Sequence, residues 1–438
     1  VFTIKRYDKF GNDIKNGTFT VNLETTSSKG EFRETETGNS ISTLDFSDGS
    51  NTTTFYYTDT NAGEHNITIN STELTIGNKT QITVNPSTVS SVNIDPNTDQ
   101  TITAGETIDF NATALDQYDN LIEESDYAFN WENTDNIGEF TNTTRDNYNV
   151  KAEYNGVNSS KTLVSVKSAS ANNISIYSEP LNTVAGQTIN GTPAAFVEDQ
   201  FGNPVPDATV NVTEQGGYEF DSGTTTNSTG SDGVAEFNDL VIETNGTYQL
   251  GFNADAEGVT EDAVSSNFDV GPAAEDHIVV SPDSSTITAG DNQSYNSEVF
   301  DEFGNLINDV TSSTSWSINA SADGSWSGNT YSSDNDGSWT VVGSYSGLTD
   351  NSSLEVEIGA VDYVDVIPES SRTIEADEHI DFNATAYDSQ DNIITVNDSE
   401  FNWKSNGEIN GTGLFNETTA ANYNINATYN EVTSKITE

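Results

Sequence analysis

Apolar and polar residues alternate along most of this chain with a period of two. Tyr148, Val150, Ala152 and Tyr154 occupy every second position of one segment, and Tyr423, Ile425, Ala427 and Tyr429 repeat the pattern later. Phe19, Val21 and Leu23, Val210 and Val212, Phe129 and Trp131, and Phe401 and Trp403 alternate in the same way. This period turns one face of an extended strand to a core and the other to water. Asn, Asp, Gly and Ser fill the joints between apolar runs, where turns need them. No segment shows the 3.6-residue period of an amphipathic helix, and none approaches the ~18 apolar residues of a membrane helix. The pattern therefore predicts an all-β chain. Short strands with turn signals at intervals of roughly 8–12 residues predict β-sandwiches.

Self-comparison divides the chain into five repeats. One signature returns as Asp8–Asn12, Asp116–Asn120, Asp199–Asn203, Asp301–Asn305 and Asp388–Asn392. In front of it stands Ile102-Thr-Ala-Gly105, Val184-Ala-Gly186 or Ile287-Thr-Ala-Gly290, with Ile374-Glu-Ala-Asp377 as a divergent form. The first copy lacks this segment, so residue 1 is expected to fall inside a domain. Trp131, Trp316 and Trp403 each follow the signature Asn by 11 positions. These registers place the repeats at 1–86, 87–168, 169–271, 272–359 and 360–438. No long flexible spacer separates them, so a semi-rigid tandem array of sandwiches is expected, with mostly local contacts between neighbours.

The 438 residues include 70 Asp and Glu against 14 Lys and Arg, a formal net charge of -56. Phosphate contacts need cationic side chains, so nucleic-acid binding is not expected; nor is direct membrane insertion by this segment. Cys is absent, and the three His residues, His65, His277 and His379, are far apart in sequence. That leaves little material for thiolate, imidazole or zinc chemistry. The carboxylates are dispersed rather than gathered in DxDxDG loops. Dispersed acidity with scarce Lys fits a surface adapted to molar salt, where the Debye length falls to about 3 Å and self-repulsion is screened.

The order Thr-Ala-Gly, alternating strand, Asp199-Gln-Phe-Gly-Asn-Pro-Val205, then Gly233-Val-Ala-Glu-Phe237 resembles the bacterial Ig-like repeats of invasin- and intimin-type surface adhesins. The third repeat carries the closest match; the others join it through self-similarity and lack the Pro-Val and Gly-Val-Ala-x-Phe segments. With the acidity, the array is similar to giant repeat-rich surface proteins of haloarchaea and nanohaloarchaea. The resemblance implies tandem Ig-like β-sandwiches, extracellular display at the cell surface, and adhesion or spacing. It implies no shared catalytic or ligand residues.

The signature suggests two readings. Asp8, Asp116, Asp199, Asp301 and Asp388 are calcium candidates, because hard cations take carboxylate and carbonyl oxygens. The same residues suit a turn, with Asp accepting local backbone N–H groups and Gly11, Gly202 and Gly304 supplying positive φ. Trp131, Trp316 and Trp403 read as core tryptophans rather than a sugar platform. Asn-x-Ser/Thr sequons number about 21 against roughly a dozen by chance; glycosylation candidates include Asn16, Asn51, Asn111, Asn142, Asn211, Asn245, Asn319, Asn383 and Asn426.

The expected function is therefore non-enzymatic, with no cofactor unless calcium occupies the signature. The primary expectation is a stalk or fibre segment that spaces or displays a functional tip. It would contact other surface proteins or cell-surface glycans, or self-associate into a fibre. The alternative is an adhesin that binds a partner cell, glycan or virus through loops of the third and fourth repeats. Glu214–Thr229, with Tyr218 and Phe220, and Ala320–Gly337, with Trp326 and Tyr331, are the two excursions that depart from the repeat.

Overall fold

The computed structural model describes residues 1–73 and 79–437. Among them the chain is all-β: strands and four short 3-10 turns, with no α-helix. The second repeat illustrates the layout. Val89–Asp95, Asn111–Asp116 and Leu121–Ile122 form one antiparallel sheet. The facing sheet orders Gln100–Thr103, Thr162–Lys167, Asn147–Tyr154 and Asn130–Glu132. Its edge pair, Gln100–Thr103 with Thr162–Lys167, runs parallel. The third and fourth repeats keep this parallel edge, pairing Thr183–Val184 with Phe268–Gly271 and Ser284–Thr288 with Leu348–Glu357.

Each repeat buries its own apolar set, as the period-two pattern requires. Phe110, Phe140, Val150 and Val164 are fully buried in the second repeat, and Val197, Leu240, Leu250 and Phe252 in the third. Smaller cores centre on Phe46 and Phe55, on Tyr295 and Tyr331, and on Phe382, Phe401 and Trp403. The expected core tryptophans take that place. Trp131 and Trp403 pack on their cores and donate Nε1–H to the carbonyls of Asp126 and Asp398, which satisfies the one polar atom of each ring. Trp316 packs on Tyr295 and Trp326 in the fourth repeat.

Both excursions send aromatic side chains back onto their own sandwich, although the backbone of the first is largely exposed. Tyr218 stands edge-on to Tyr248, its backbone N–H held by the Glu214 carboxylate, and Phe220 packs on the third core. Trp326 lies between Trp316 and Tyr331. No helix among the described residues is long and apolar enough to cross a membrane.

Candidate functional site: the joint between repeats

The signature first builds a turn. The Asp199 backbone N–H donates to the Asn203 carbonyl, while Asp199 Oδ1 accepts the N–H groups of Phe201 and Asn203 at 2.8 and 2.9 Å. The fourth signature residue must then adopt positive φ. Gly11, Gly202 and Gly304 do so at 85°, 83° and 82°, and Asp119 and Asp391 take the same conformation at 66° and 64°.

The second Asp oxygen ties this turn to the segment that leads into its own repeat. Oδ2 of Asp116, Asp199, Asp301 and Asp388 accepts the backbone N–H of Ser87, Ala169, Ala273 and Gly359, at 2.8–2.9 Å. It also accepts Nδ2–H of the signature Asn at 2.8–2.9 Å. These four carboxylates are at most 2 % exposed, and four N–H donors occupy the lone pairs of each. A buried charge is tolerable when it is saturated in this way. Burial pushes the Asp116 pKa up, but the bonds from Asn120, Ser87 and Tyr118 outweigh it and lower the pKa to about 2. Asp199, Asp301 and Asp388 are lowered for the same reasons.

The Asn then reaches out of its own repeat. Asn203 Nδ2 donates to the Thr143 carbonyl and Oδ1 accepts the Arg145 N–H, both at 2.8 Å and both in the preceding repeat. Asn120 grips Thr60 O and Ala62 N, Asn305 grips Glu243 O and Asn245 N, and Asn392 grips Asp334 O and Asp336 N, at 2.7–3.1 Å. The amide orientation is fixed chemically, because Nδ2 faces two oxygens that can only accept. Among the described residues each of the four junctions thus carries one bidentate side-chain-to-backbone clasp.

The gripped loop is itself held from behind. Between the two gripped residues stands a carbonyl that accepts a hydrogen bond from a side chain four positions later. Tyr148 Oη donates to Thr144, Tyr248 Oη to Thr244, and Trp339 Nε1 to Asn335. In the first repeat His65 Nε2 lies 2.8 Å from the Asn61 carbonyl, which can only accept, so Nε2 carries the proton. Asp59 braces that loop as well, accepting Tyr57 Oη–H, Ser27 Oγ–H and the Asn61 N–H. Sequence reasoning did not connect His65, Tyr148, Tyr248 or Trp339 to this role. Their shared offset from the gripped loop is the signal that would have found them.

A van der Waals contact completes the joint. A Cβ placed on Gly105 would lie 2.8 Å from the Phe201 ring, and one on Gly186 would overlap the Phe303 ring. Gly290 faces Gln390 in the same relation. The Thr-Ala-Gly segment of one repeat therefore receives the third signature residue of the next. Arg145 adds a further bond at the second junction, from its guanidinium to the Ser231 carbonyl.

The other candidate residues lie elsewhere. Asp8 makes the local turn bonds but sits in a more open position, described below. Among the sequon residues Asn16, Asn111, Asn245, Asn319 and Asn383 are exposed, whereas Asn51, Asn142, Asn211 and Asn426 are half-buried. Asn245 and Asn142 belong to the gripped loops. Among the described residues no three His, Asp or Glu side chains converge as a metal cluster.

No known family profile matches the chain, and no curated protein aligns with it. Solved structures similar to it include FdeC, an Escherichia coli adhesin, at 16 % identity and TM-score 0.35, covering 62 % of this chain and 99 % of that one. Invasin, a bacterial integrin-binding protein, aligns at 13 % identity and TM-score 0.32 over 94 % of this chain and 77 % of its own. The surface layer protein SbsC, domains 1–6, aligns at 15 % identity and TM-score 0.20 over 97 % of this chain; the chain spans 64 % of that structure's length.

Proposed function

We propose that this chain is a stalk or fibre segment of an extracellular surface protein, in which each junction is clasped so that successive sandwiches hold a set angle. The recurring Asn clasp is the observation that carries this reading. An array that served only to tether would need no buried Asp–Asn pair at each of its junctions. The pair buries a carboxylate whose desolvation must be offset by four hydrogen bonds. Such an arrangement recurring at four junctions favours a mechanical role over a catalytic one. The excursion aromatics Phe220, Trp326 and Tyr331 pack on their own cores, which supports the spacer, while Tyr218, 55 % exposed, is the one left open to a partner.

The saturated carboxylates favour the turn over calcium at Asp116, Asp199, Asp301 and Asp388. The surface acidity supports a salt-rich setting, and the exposed sequon residues Asn16, Asn111, Asn245, Asn319 and Asn383 are the ones we propose for glycosylation. Residual dipolar or distance measurements across one junction test the reading. Two labels placed on adjoining repeats should report one narrow separation; a broad distribution would refute a clasped array.

A further inference from the structure

The first repeat builds the same turn, and among the described residues its Asn12 makes no contact with another repeat. Asp8 Oδ1 accepts the N–H groups of Phe10 and Asn12 at 2.8 Å, and Asn12 Nδ2 donates to Asp8 Oδ2 at 2.9 Å. Gly11 supplies the positive φ. The Asn amide is therefore oriented as in its four counterparts. There the likeness stops. Asn203, Asn305 and Asn392 are each 6 % exposed, while Asn12 is open to solvent. Among the described residues Asn12 Oδ1 accepts no hydrogen bond, and its second amide hydrogen has no acceptor. Phe10 is 78 % exposed, against 41 % for Phe201, which lies on Gly105.

From this geometry we infer that Asp8, Phe10 and Asn12 form a docking surface for the far end of another repeat of this kind. The surface states what its partner must offer. Asn12 needs a backbone carbonyl and, two residues on, a backbone N–H, as Thr143 and Arg145 present. Phe10 needs a residue without Cβ at the place of Gly105 and Gly186. The carbonyl between the gripped pair needs a side-chain donor four positions later, so that the loop is stiff before it docks. The partner is thus a β-sandwich end bearing glycine, not an apolar peptide, a glycan or a cation.

Glycine also sets selectivity. The equivalent end of the fifth repeat, identified by the Asp377 N–H bond to the Glu417 carbonyl, carries Asp377 at φ 71° where the second, third and fourth repeats carry Gly105, Gly186 and Gly290. Its side chain would meet the Phe10 ring. End-to-end joining of two copies of this chain through their first and fifth repeats is therefore disfavoured, and a glycine-ended repeat is the fitting occupant.

The inference rests on the clasped-array reading, and the experiment separates the two. A copy of residues 169–293 is placed directly ahead of Val1 of the full chain. This places a glycine-ended repeat, with the strand that follows it, ahead of the Asp8 turn. The chain has no Cys, so single engineered Cys pairs can carry fluorophores across either the new junction or the native junction between the third and fourth repeats. One narrow energy-transfer population at the new junction, matching the native one and lost on Asn12→Ala, is the expected result. A broad population at the new junction beside a narrow native one overturns the inference but leaves the clasped array standing. A narrow population that survives Asn12→Ala overturns it too, because something other than the clasp then holds the repeats. A broad native junction overturns the array reading itself. A second fusion, built from residues 87–191, repeats the measurement independently, so that misfolding of one insert does not decide the outcome.

Discussion

Asn203 reaches back 60 positions to donate its amide to the Thr143 carbonyl, at 2.8 Å, while Asp199 holds the same amide from the other side at 2.8 Å. A residue that looks like the end of a local turn is thus the contact between two domains. The expected cost of Asn203→Ala follows from this. Two bonds between repeats are lost, at about 1 kcal/mol each, and a buried carboxylate loses one donor. The junction should loosen by about 2 kcal/mol or more while both sandwiches keep their own melting transitions. Distance distributions across the second junction, measured beside thermal melts, check this.

Gly186→Ala should loosen the third junction. Any Cβ there adopts positive φ, at about 1–2 kcal/mol, and in addition meets the Phe303 ring. Gly347 serves as the control. It also has positive φ, 91°, but no atom lies within 4 Å of the place a Cβ would take. Gly347→Ala should lower stability by a similar amount without moving any junction. A widened separation between the third and fourth repeats in the first variant alone is the expected pattern.

Acid should open the clasps before it unfolds the sandwiches. The folded pKa of Asp116 is depressed to about 2, below the value of about 3.9 for a free Asp. A depressed carboxylate contributes stability that is fully present above its unfolded pKa and is lost as pH falls through its folded pKa. The window therefore lies between about pH 4 and pH 2. Junction distances followed down this range at molar salt should broaden, with far-UV circular dichroism still native at the onset of broadening.

How far the sequence showed this depends on which partner of each contact one asks about. Period-two alternation made the strands plain, and the signature's turn chemistry was readable because Asp, Gly and Asn act on their own backbone. The junction was hidden for a physical reason. Asn203, Asn305 and Asn392 bind backbone C=O and N–H groups, which every residue has and no residue type marks. The loop's brace was hidden because His65, Tyr148, Tyr248 and Trp339 do one job with three kinds of donor. Gly105 and Gly186 were visible as a motif, but their service to Phe201 and Phe303 of the following repeat was not.

Salt should matter more for this chain than for most. Lys5–Asp13, Arg33–Glu31 and Lys151–Glu132 are the Lys and Arg ion pairs among the described residues. Three surface pairs contribute little and leave the charge of -56 largely unbalanced. Screening relieves that repulsion, so melting temperatures should rise steeply from dilute buffer to molar KCl. Circular dichroism melts across that range provide the check, and a flat response would contradict it.

Small-angle scattering of the full chain beside a variant with Asn120, Asn203, Asn305 and Asn392 all changed to Ala tests the clasped array most directly. Each sandwich spans roughly 35–40 Å, from strands of about eight residues plus end loops. The account predicts an extended wild-type particle of about 170–200 Å whose scattering fits one stiff shape. It predicts a variant with intact sandwiches and the broad, shortened distance distribution of beads on a string. Indistinguishable profiles from the two proteins, or a wild-type particle under about 80 Å, would contradict it.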